Sequence, residues 1–368
     1  MKILIAPDSF KGSATSSEIA TWIEAGIHSV IPECETVKIA IGDGGEGTLD
    51  AVLRAGFESH QIDVRGPTSE IVQAKFGMRD TTALIELAQA SGLSQLPGKE
   101  FEPLTASSFG TGELIRAALD KGATRIILAV GGSACTDAGA GALQALGARL
   151  LNGHGTEISL GGAALQHCQQ IDLSRLDARI SEVEFSLAID VTNPLLGTEG
   201  AAHVFSPQKG ASSAQVVLLE SALSHFSSLA GEAHVNTPGA GAAGGFGYMA
   251  MTFLHAIPQS GIELLLDLLQ FAEKLQGADL VITGEGRFDS QSLRGKAPLG
   301  ILKIASDLSV PVALICGQIT LNDSNEIIQK FHSISSLDSI EPDIQICISE
   351  PGPIIEKIAT SIAKGLTS

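Results

Sequence analysis

Four glycine-rich segments divide this chain, and each carries charged or hydroxyl side chains among or beside its glycines. They read GDGGEGT (Gly42–Thr48), GGSACTDAGAG (Gly131–Gly141), PGAGAAGG (Pro238–Gly245) and TGEGRFDSQSLRGK (Thr283–Lys296). Glycine lets the backbone approach an anion closely, and a helix that begins just after such a turn adds its positive end. Carboxylates beside the turns fit a phosphate group that binds together with a divalent cation. The pattern therefore predicts turns at strand ends and the chemistry of phosphoryl transfer.

The composition predicts an α/β protein with more than one domain. At 368 residues the chain exceeds the usual size of a single hydrophobic core. Hydrophobic residues make up 44% of the chain and aromatic residues only 4%, so the core is aliphatic, as in proteins with buried parallel strands. The 41 glycines are too many for a helix bundle, and they cluster at the predicted turns.

The formal net charge of −18 argues against a nucleic-acid partner, because the sequence offers no basic stripe for a polyphosphate backbone. A nucleotide can still bind despite the net charge of the chain, because distant charges are screened at physiological salt. Local N–H groups, a lysine and a metal can then outweigh the negative charges nearby. The five cysteines are dispersed without a CxxC pair, which indicates reduced thiols and a cytoplasmic protein. We expect neither a signal peptide nor a membrane-spanning segment. A homodimer is left open.

The order of apolar runs predicts a doubly wound sheet at the two ends of the chain. A strand at Lys2–Pro7, a helix at Thr15–Val30 and a strand at Thr36–Ile41 open the sequence. Short strands with little helix between them follow from Ile62 to Leu87, which favours an antiparallel or mixed sheet, and helices are predicted after them. A buried strand at Asp279–Thr283 then resumes the first pattern. We therefore predict one discontinuous domain, 1–62 plus 270–368, and an inserted α/β domain, 63–269.

Candidate site residues follow the first two predicted strands. In PDSFKG, Lys11 is a candidate to neutralise a moving phosphoryl group, with Asp8 and Ser9 beside it, because open α/β sheets bind ligands beyond their strand ends. The alternative is a turn-forming aspartate and a solvated lysine. In GDGGEGT, Asp43 can hold a metal, accept a proton or bind a polar substrate, and it can equally serve only an Asx-turn.

The segment GGSACTDAGAG is the most phosphate-like part of the sequence, although it is not the GxxxxGK[ST] loop of P-loop proteins. Asp137 within it is either a helix N-cap or a ligand. Lys209 in SPQKGA is a basic candidate or a surface lysine. Our candidate nucleotide-binding residues here and in the first glycine segment are Gly44, Gly45, Gly131, Gly132, Ser133, Thr136 and Lys209.

Two further segments carry carboxylates after predicted strands. Asp190 and Asn193 in IDVTNP form a candidate Mg²⁺ or hydroxyl site, with a simple turn as the alternative. The fourth glycine segment has the densest chemistry, and a salt-bridged surface loop is its alternative. Its charged residues are Glu285, Arg287, Asp289, Arg294 and Lys296.

Two features that the glycine segments lack exclude some classes of reaction. None of the nine histidines falls in these segments, which argues against zinc and against a histidine-based hydrolase. PGAGAAGG contains a formal GxGxxG, but polar HVNTP precedes it instead of a buried strand, so a dinucleotide fingerprint is disfavoured. A hinge or a helix-start phosphate contact is the preferred interpretation.

Eight segments together resemble the bacterial glycerate kinase family, in order from about residue 1 to residue 310. They are IAPDSFKGS, IGDGGEGTLDA, SSFGTGELI, GGSACTDAGAGALQALGA, DVTNPLLG, FSPQKGA, PGAGAAGGFGY and ADLVITGEGRFDSQSLRGKAP. The resemblance implies two α/β domains, one doubly wound and flavodoxin-like and the other an inserted mixed domain, with the active site in the cleft between them. It also implies ATP- and Mg²⁺-dependent phosphorylation of D-glycerate, with 2-phosphoglycerate as product; 3-phosphoglycerate is the alternative product.

Within this hypothesis each candidate residue receives a role by its chemistry. Lys11, Asp43, Asp190 and Lys296 are the catalytic candidates, with Asp43 or Asp190 accepting the hydroxyl proton. Asp8, Ser9, Asn193, Arg287 and Arg294 are the substrate-binding candidates, an arginine holding the glycerate carboxylate in a forked pair. Asp190, Glu285 and Asp289 are the metal candidates. The competing hypotheses are a hydroxy-acid dehydrogenase that uses PGAGAAGG and a non-catalytic sensor of sugar acids.

Overall fold

The structure is a computed structural model of the whole chain. It describes residues 1–39, 41, 47–290, 292–294, 296–321 and 326–367, and of Arg294 it describes the backbone alone. The chain divides into two compact units. Unit 1 is Met1–Asp43 with Ile262–Ser368, and unit 2 is Gly44–Gly261.

Strands and helices alternate along most of the described chain. The strands are β1 Lys2–Pro7, β2 Glu35–Lys38, β3 Glu58–Arg65, β4 Ile71–Arg79, β5 Thr82–Glu86, β6 Arg125–Ala129, β7 Arg149–Leu151, β8 Gln170–Asp172, β9 Glu184–Ala188, β10 Ile257–Gln259, β11 Leu280–Phe288, β12 Val312–Ile319 and β13 Ser333–Ser336. The α-helices are α1 Ser16–His28, α2 Thr48–Arg54, α3 Ala88–Ser91, α4 Phe109–Asp120, α5 Ala140–Ala145, α6 Ala201–Phe205, α7 Ser213–Ala230, α8 Ala242–Phe253, α9 Gly261–Leu268, α10 Phe271–Leu275, α11 Ala297–Asp307, α12 Ile344–Ser349 and α13 Pro351–Thr367.

Unit 1 is built on a parallel sheet with the strand order β13-β12-β11-β1-β2. Counted along the chain within this unit, that is the flavodoxin-like order 2-1-3-4-5, which confirms the predicted fold class. The aliphatic stretches of the central strands are buried on both faces of the sheet, as Ile3, Leu4 and Ile282 show. In such sheets the ligand crevice opens where the strand order reverses, here beyond the ends of β1 and β11.

The first helix shows how local sequence sets these elements. Thr15 caps α1, and Glu18 completes a capping box in which the Thr15 N–H donates to the Glu18 carboxylate at 2.9 Å. The buried face of α1 carries Ile19, Ile23 and Gly26, and it packs against α13. A side chain at Gly26 would lie 2.5 Å from the Glu356 carbonyl oxygen, so glycine lets these two helices touch.

The fourth glycine segment is not a turn at its start, which corrects our prediction. Strand β11 continues through Gly284 to Phe288 and pairs with β12 as far as Phe288 opposite Ile319. The glycines here allow close approach of neighbouring backbones, because a Cβ on Gly284 would lie 2.5 Å from the Ile315 carbonyl oxygen. Parallel pairing therefore extends the strand, and the charged residues begin on the strand itself.

Unit 2 holds a mixed sheet with the strand order β10-β9-β6-β5-β4-β3. Strands β3, β4 and β5 pair antiparallel, and β5, β6, β9 and β10 pair parallel, so the predicted mixed sheet is confirmed.

Residues 47–62 contribute α2 and the start of β3 to this unit, because β3 is hydrogen-bonded to β4 along its whole length. The division of the chain thus falls at 43/44 and 261/262, whereas we predicted 62/63 and 269/270.

Within unit 2 the PGAGAAGG segment serves close packing. Gly244 and Gly245 have positive φ, and a Cβ on Gly244 would lie 2.2 Å from the Cys135 carbonyl oxygen. A Cβ on Gly241 would lie 2.3 Å from the Pro194 carbonyl oxygen. The segment therefore brings α8 against the loops that follow β6 and β9. None of the described helices is both long enough and apolar enough to cross a membrane.

Candidate active site

A cavity of about 490 Å³ lies in unit 1, at the carboxyl ends of β1, β11 and β12. It opens at the reversal of strand order, where flavodoxin-like sheets bind ligands. Seven of the residues predicted from the sequence line it: Asp8, Ser9, Lys11, Glu285, Arg287, Asp289 and Lys296. The structure therefore brings the PDSFKG loop and the fourth glycine segment into one site, because β1 and β11 are neighbours in the sheet.

Two carboxylates of the cavity are almost completely buried. Asp8 is 7% exposed and Glu285 is 4% exposed. Burial is the main reason that the pKa of Glu285 is raised to about 7, and the negative charges of Asp8 and Asp289 add to this rise. The Ser292 hydroxyl and Lys296 act in the opposite direction and lower the pKa. Among the described residues, the Glu285 Oε1 atom has no hydrogen-bond partner. A buried carboxylate oxygen of this kind is a suitable ligand for a cation.

Two cationic side chains of the cavity lie beside carboxylates of the same segment. The Lys296 Nζ lies 3.7 Å from Glu285 Oε2, and the Arg287 Nε lies 3.5 Å from Asp289 Oδ2. Lys296 occupies the N-cap position of α11, directly after the charged segment. The side chains of Lys296 and Arg287 keep 40% and 62% of their surface exposed, so each can also contact a ligand.

The residues present fit a magnesium ion. Across the described ranges, no group of three or more His, Cys, Asp or Glu side chains is arranged to hold a metal. Mg²⁺ does not require such a group, because it is usually bound by one or two carboxylates together with substrate phosphates and water. The partnerless oxygen of Glu285 and the neighbouring Asp289 supply hard oxygen donors.

Asp137 in unit 2 serves the internal structure of the second glycine segment. Its carboxylate is fully buried and accepts hydrogen bonds from the Ser108 backbone N–H at 2.8 Å and the Ser108 hydroxyl at 2.9 Å. It also accepts from the N–H groups of Gly139 and Gly141, at 3.1 and 3.3 Å. The N-cap residue of α5 is Gly139 and not Asp137. The Asp137 carboxylate lies two positions before it and satisfies the Gly141 N–H in the first turn of the helix.

Lys209 is also enclosed within unit 2. The residue is 2% exposed, and its Nζ donates to the Ser133 hydroxyl at 2.9 Å and to the Cys135 carbonyl oxygen at 2.5 Å. Burial lowers the pKa of Lys209, while the nearby charge of Asp137 opposes that shift. Thr136 in the same loop is fully buried, whereas Gly131 and Gly132 are exposed. The ammonium group thus fixes the loop that follows β6.

Asp190 and Asn193 follow the neighbouring strand β9. Asp190 is exposed, and its Oδ1 accepts the Gly261 N–H at 3.1 Å. The Asn193 side chain donates to the Glu199 carbonyl oxygen at 2.8 Å. Because β6 and β9 are paired, these two residues and the second glycine segment lie beyond adjacent strand ends of one sheet. Asp43, Gly44 and Gly45 lie outside the described residues, as does the side chain of Arg294.

Comparison with known proteins decides the family. The profile of the glycerate kinase family matches residues 3–367. The chain belongs to the glycerate kinase family.

Curated relatives and a solved structure agree with this assignment. A glycerate kinase from Bacillus subtilis (strain 168) is 45% identical over 100% of this chain and 98% of its own length. A glycerate 2-kinase from Escherichia coli (strain K12) is 47% identical over 87% of this chain and 86% of its own length. A crystal structure described as a glycerate kinase 2 from Salmonella typhimurium LT2 superposes with a TM-score of 0.86, at 40% identity, covering 100% of this chain and 98% of that one.

Membership of the glycerate kinase family makes this protein an enzyme and a kinase. It decides against the dehydrogenase hypothesis, and it gives no support to the sensor hypothesis. The resemblance seen in eight sequence segments is thereby confirmed over the full chain.

Sequence reasoning missed part of the cavity wall in this glycerate kinase family member. Gln318 at the end of β12, Asp338 just after β13, and Ile344 and Ile348 on α12 all line the cavity. Gln318 and Asp338 are polar residues at strand ends, so the rule that found the other site residues applies to them as well. Nothing comparable marked the isoleucines, which stand in the C-terminal stretch where the resemblance was weakest.

Proposed function

We propose that this protein transfers the γ-phosphoryl group of ATP to a hydroxyl group of D-glycerate with the help of Mg²⁺, and that the product is 2-phosphoglycerate. The observation that carries this proposal is the cavity of unit 1, which gathers cations and buried carboxylates at the ligand-binding edge of a flavodoxin-like sheet. Phosphoryl transfer depends on such charge placement more than on covalent chemistry. The name of the Escherichia coli relative supports the 2-phospho product.

The residues of the cavity suit separate parts of this reaction. Lys11 and Lys296 neutralise negative charge on the transferred group, since both line the cavity. Arg287 binds the glycerate carboxylate in a forked pair, with Arg294 as the second candidate. Asp8 and Ser9 orient the substrate through hydrogen bonds; the Asp8 Oδ1 already accepts the Ser9 N–H at 2.6 Å.

Mg²⁺, when bound, would supply positive charge that offsets the negative charge on the phosphate groups. We propose Glu285 and Asp289 as its ligands in unit 1, with Asp190 as the candidate in unit 2. Asp43 or Asp190 accepts the proton of the substrate hydroxyl. In unit 2 we retain Gly131, Gly132 and Ser133 as phosphate contacts, together with Gly44 and Gly45.

For Asn193 we propose a contact to the substrate hydroxyl. Thr136 and Lys209 act differently in this proposal, because both are enclosed in unit 2. They hold the second glycine segment in place and support any phosphate contact made by its exposed glycines. The five cysteines are free and buried, which supports a cytoplasmic location. We retain the prediction that the protein can form a homodimer, and sedimentation analysis would test it.

A coupled assay of ADP release with ATP, Mg²⁺ and D-glycerate tests the function directly. We expect turnover with D-glycerate, and we expect Lys296→Ala to lower kcat by roughly 10²–10³-fold, the usual cost of losing one group that stabilises transition-state charge. Phosphorus NMR of the product distinguishes 2-phosphoglycerate from 3-phosphoglycerate.

Lys303→Ala is the matched control for Lys296→Ala. Lys303 is an exposed lysine on α11 that pairs with Glu263, so its loss should leave kcat unchanged. Asp190→Ala, measured in the same assay, tests the unit 2 candidate. Absence of glycerate-dependent ADP release would refute the proposed function, and wild-type kinetics in Lys296→Ala would remove that lysine from the site.

A further inference from the structure

We infer that the apolar residues of the unit 1 cavity, Phe10, Ile344 and Ile348, bind the base of the nucleoside triphosphate. The inference rests on the proposed use of ATP and adds to it a binding subsite that the sequence analysis did not contain. It places a nucleotide contact on α12, whereas our predicted nucleotide contacts all lie on glycine segments and Lys209.

The size of the cavity is the first argument. Its volume is about 490 Å³. A small hydroxy acid fills only a minor part of such a volume, whereas pockets of ~300–1,000 Å³ are typical for ligands of nucleotide size. The cavity therefore has room for a ligand much larger than glycerate.

The lining combines charged and apolar residues. Lys11, Glu285 and Lys296 stand among the charged residues, and Phe10, Ile344 and Ile348 supply the apolar wall. A nucleoside triphosphate likewise combines an anionic chain with a flat apolar ring. Charge complementarity directs the phosphates toward the lysines, which leaves the base for the apolar wall.

Helix α12 is anchored so that two of its isoleucines, Ile344 and Ile348, face the cavity. Cys347 is 8% exposed and packs into the unit 1 core, and the Ser13 hydroxyl donates to the Ile348 carbonyl oxygen at 2.6 Å. Ile344 and Ile348 are spaced i, i+4 and so share one face of the helix. They remain 53% and 44% exposed although they line the cavity. Covering them would remove apolar surface from water.

Polar groups for the edge of the base are present in the same cavity. Gln318 lines the cavity and carries a carboxamide, which can donate and accept hydrogen bonds as a nucleobase edge requires. Gly286 and Gly317 also line it and have no side chains that would obstruct a flat ring. An apolar wall with a few polar groups is the usual composition of a small-molecule pocket.

Calorimetric titration with ATP and with inorganic tripolyphosphate, both with Mg²⁺, tests the subsite. In the double variant Ile344→Ala with Ile348→Ala we expect ATP to bind roughly five- to tenfold more weakly, because about half of each isoleucine loses its apolar contact with the base. Tripolyphosphate should bind as it does to the wild type, because it has no base. In the kinase assay the KM for ATP should rise by the same factor, with the KM for glycerate unchanged.

Ile346→Ala is the matched control, since Ile346 is 41% exposed on the same helix but does not line the cavity. It should match the wild type in every measurement. Unchanged ATP affinity in the double variant overturns the inference. An equal loss of ATP and tripolyphosphate binding also overturns it, as does a change of oligomeric state at unchanged ATP affinity, which would assign the isoleucines to a second copy of the chain.

The two proposals fail in different ways. A wild-type protein that binds ATP through the isoleucines yet does not phosphorylate glycerate would refute the proposed function and keep the subsite. A wild-type protein that phosphorylates glycerate, with a double variant indistinguishable from it, would keep the function and remove the subsite.

Discussion

At the scale of single residues, burial separates two lysines that resemble each other in the sequence. Lys209 and Lys296 each follow a polar segment beside a glycine, and both were candidates for phosphate. Lys209 is 2% exposed and is hydrogen-bonded to Ser133 and Cys135, whereas the side chain of Lys296 is 40% exposed beside Glu285. Only the second has surface available for a ligand in its own unit.

Lys209→Met should therefore act on stability. The change removes both hydrogen bonds of the buried ammonium group and leaves the Cys135 carbonyl oxygen without that donor, so we expect the free energy of unfolding to fall by roughly 2–4 kcal/mol. Urea denaturation measures it. Lys303→Met, which breaks only an exposed pair, should change the free energy by less than about 1 kcal/mol. Equal stability of the two variants would contradict this account of Lys209.

At the scale of helices and strands, the predicted elements have the right type, but their predicted ends agree with the structure only in part. Strand β1 was predicted with its observed bounds, because it is a short aliphatic run closed by proline and aspartate. Strand β11 extends five residues beyond the predicted Thr283, to Phe288. Glycine and charged residues indicate a turn locally, but pairing with β12 keeps the backbone extended. Pairing with β12 therefore outweighs the turn preference of the local sequence.

Two glycines in helices of unit 1 should respond to alanine with opposite signs. Gly26 on α1 contacts α13, and a Cβ there would lie 2.5 Å from the Glu356 carbonyl oxygen, whereas Gly365 on α13 has no atom within 4 Å of that position. We expect Gly26→Ala to lower the free energy of unfolding by roughly 1–2 kcal/mol through overpacking. Gly365→Ala should raise it by up to about 1 kcal/mol. Thermal or urea unfolding distinguishes them, and a shared sign would be inconsistent with the helix contact described.

At the scale of the whole molecule, the chain has separate hydrophobic cores for its two units. The unit 1 core packs α1 and α13 against the parallel sheet, and the unit 2 sheet has its own buried cluster. The single tryptophan, Trp22, lies on α1 of unit 1, and the single tyrosine, Tyr248, lies on α8 of unit 2. Each unit thus contains its own spectroscopic probe.

We expect the two probes to report different unfolding midpoints in urea, since proteins with more than one core commonly depart from two-state behaviour. The fluorescence of Trp22 reports the unfolding of unit 1. Near-ultraviolet absorbance of Tyr248, which is fully buried and donates to the Gly231 carbonyl oxygen at 2.6 Å, follows unit 2. Superimposable transitions from both probes would show that the chain unfolds as one cooperative unit.

The sequence by itself determined the fold class, the family and the residues of the charged segments, because these depend on local patterns: aliphatic runs, glycine at turns, and acidic or basic side chains after strands. The tertiary structure decided which of those residues share a site. Strand order places β1 beside β11, so that Asp8 and Glu285 meet although 277 positions separate them in the chain. It also decided that Lys209 is enclosed and that Ile344 and Ile348 line a cavity. Burial and adjacency depend on how distant segments pack, and no local pattern of residues contains that information.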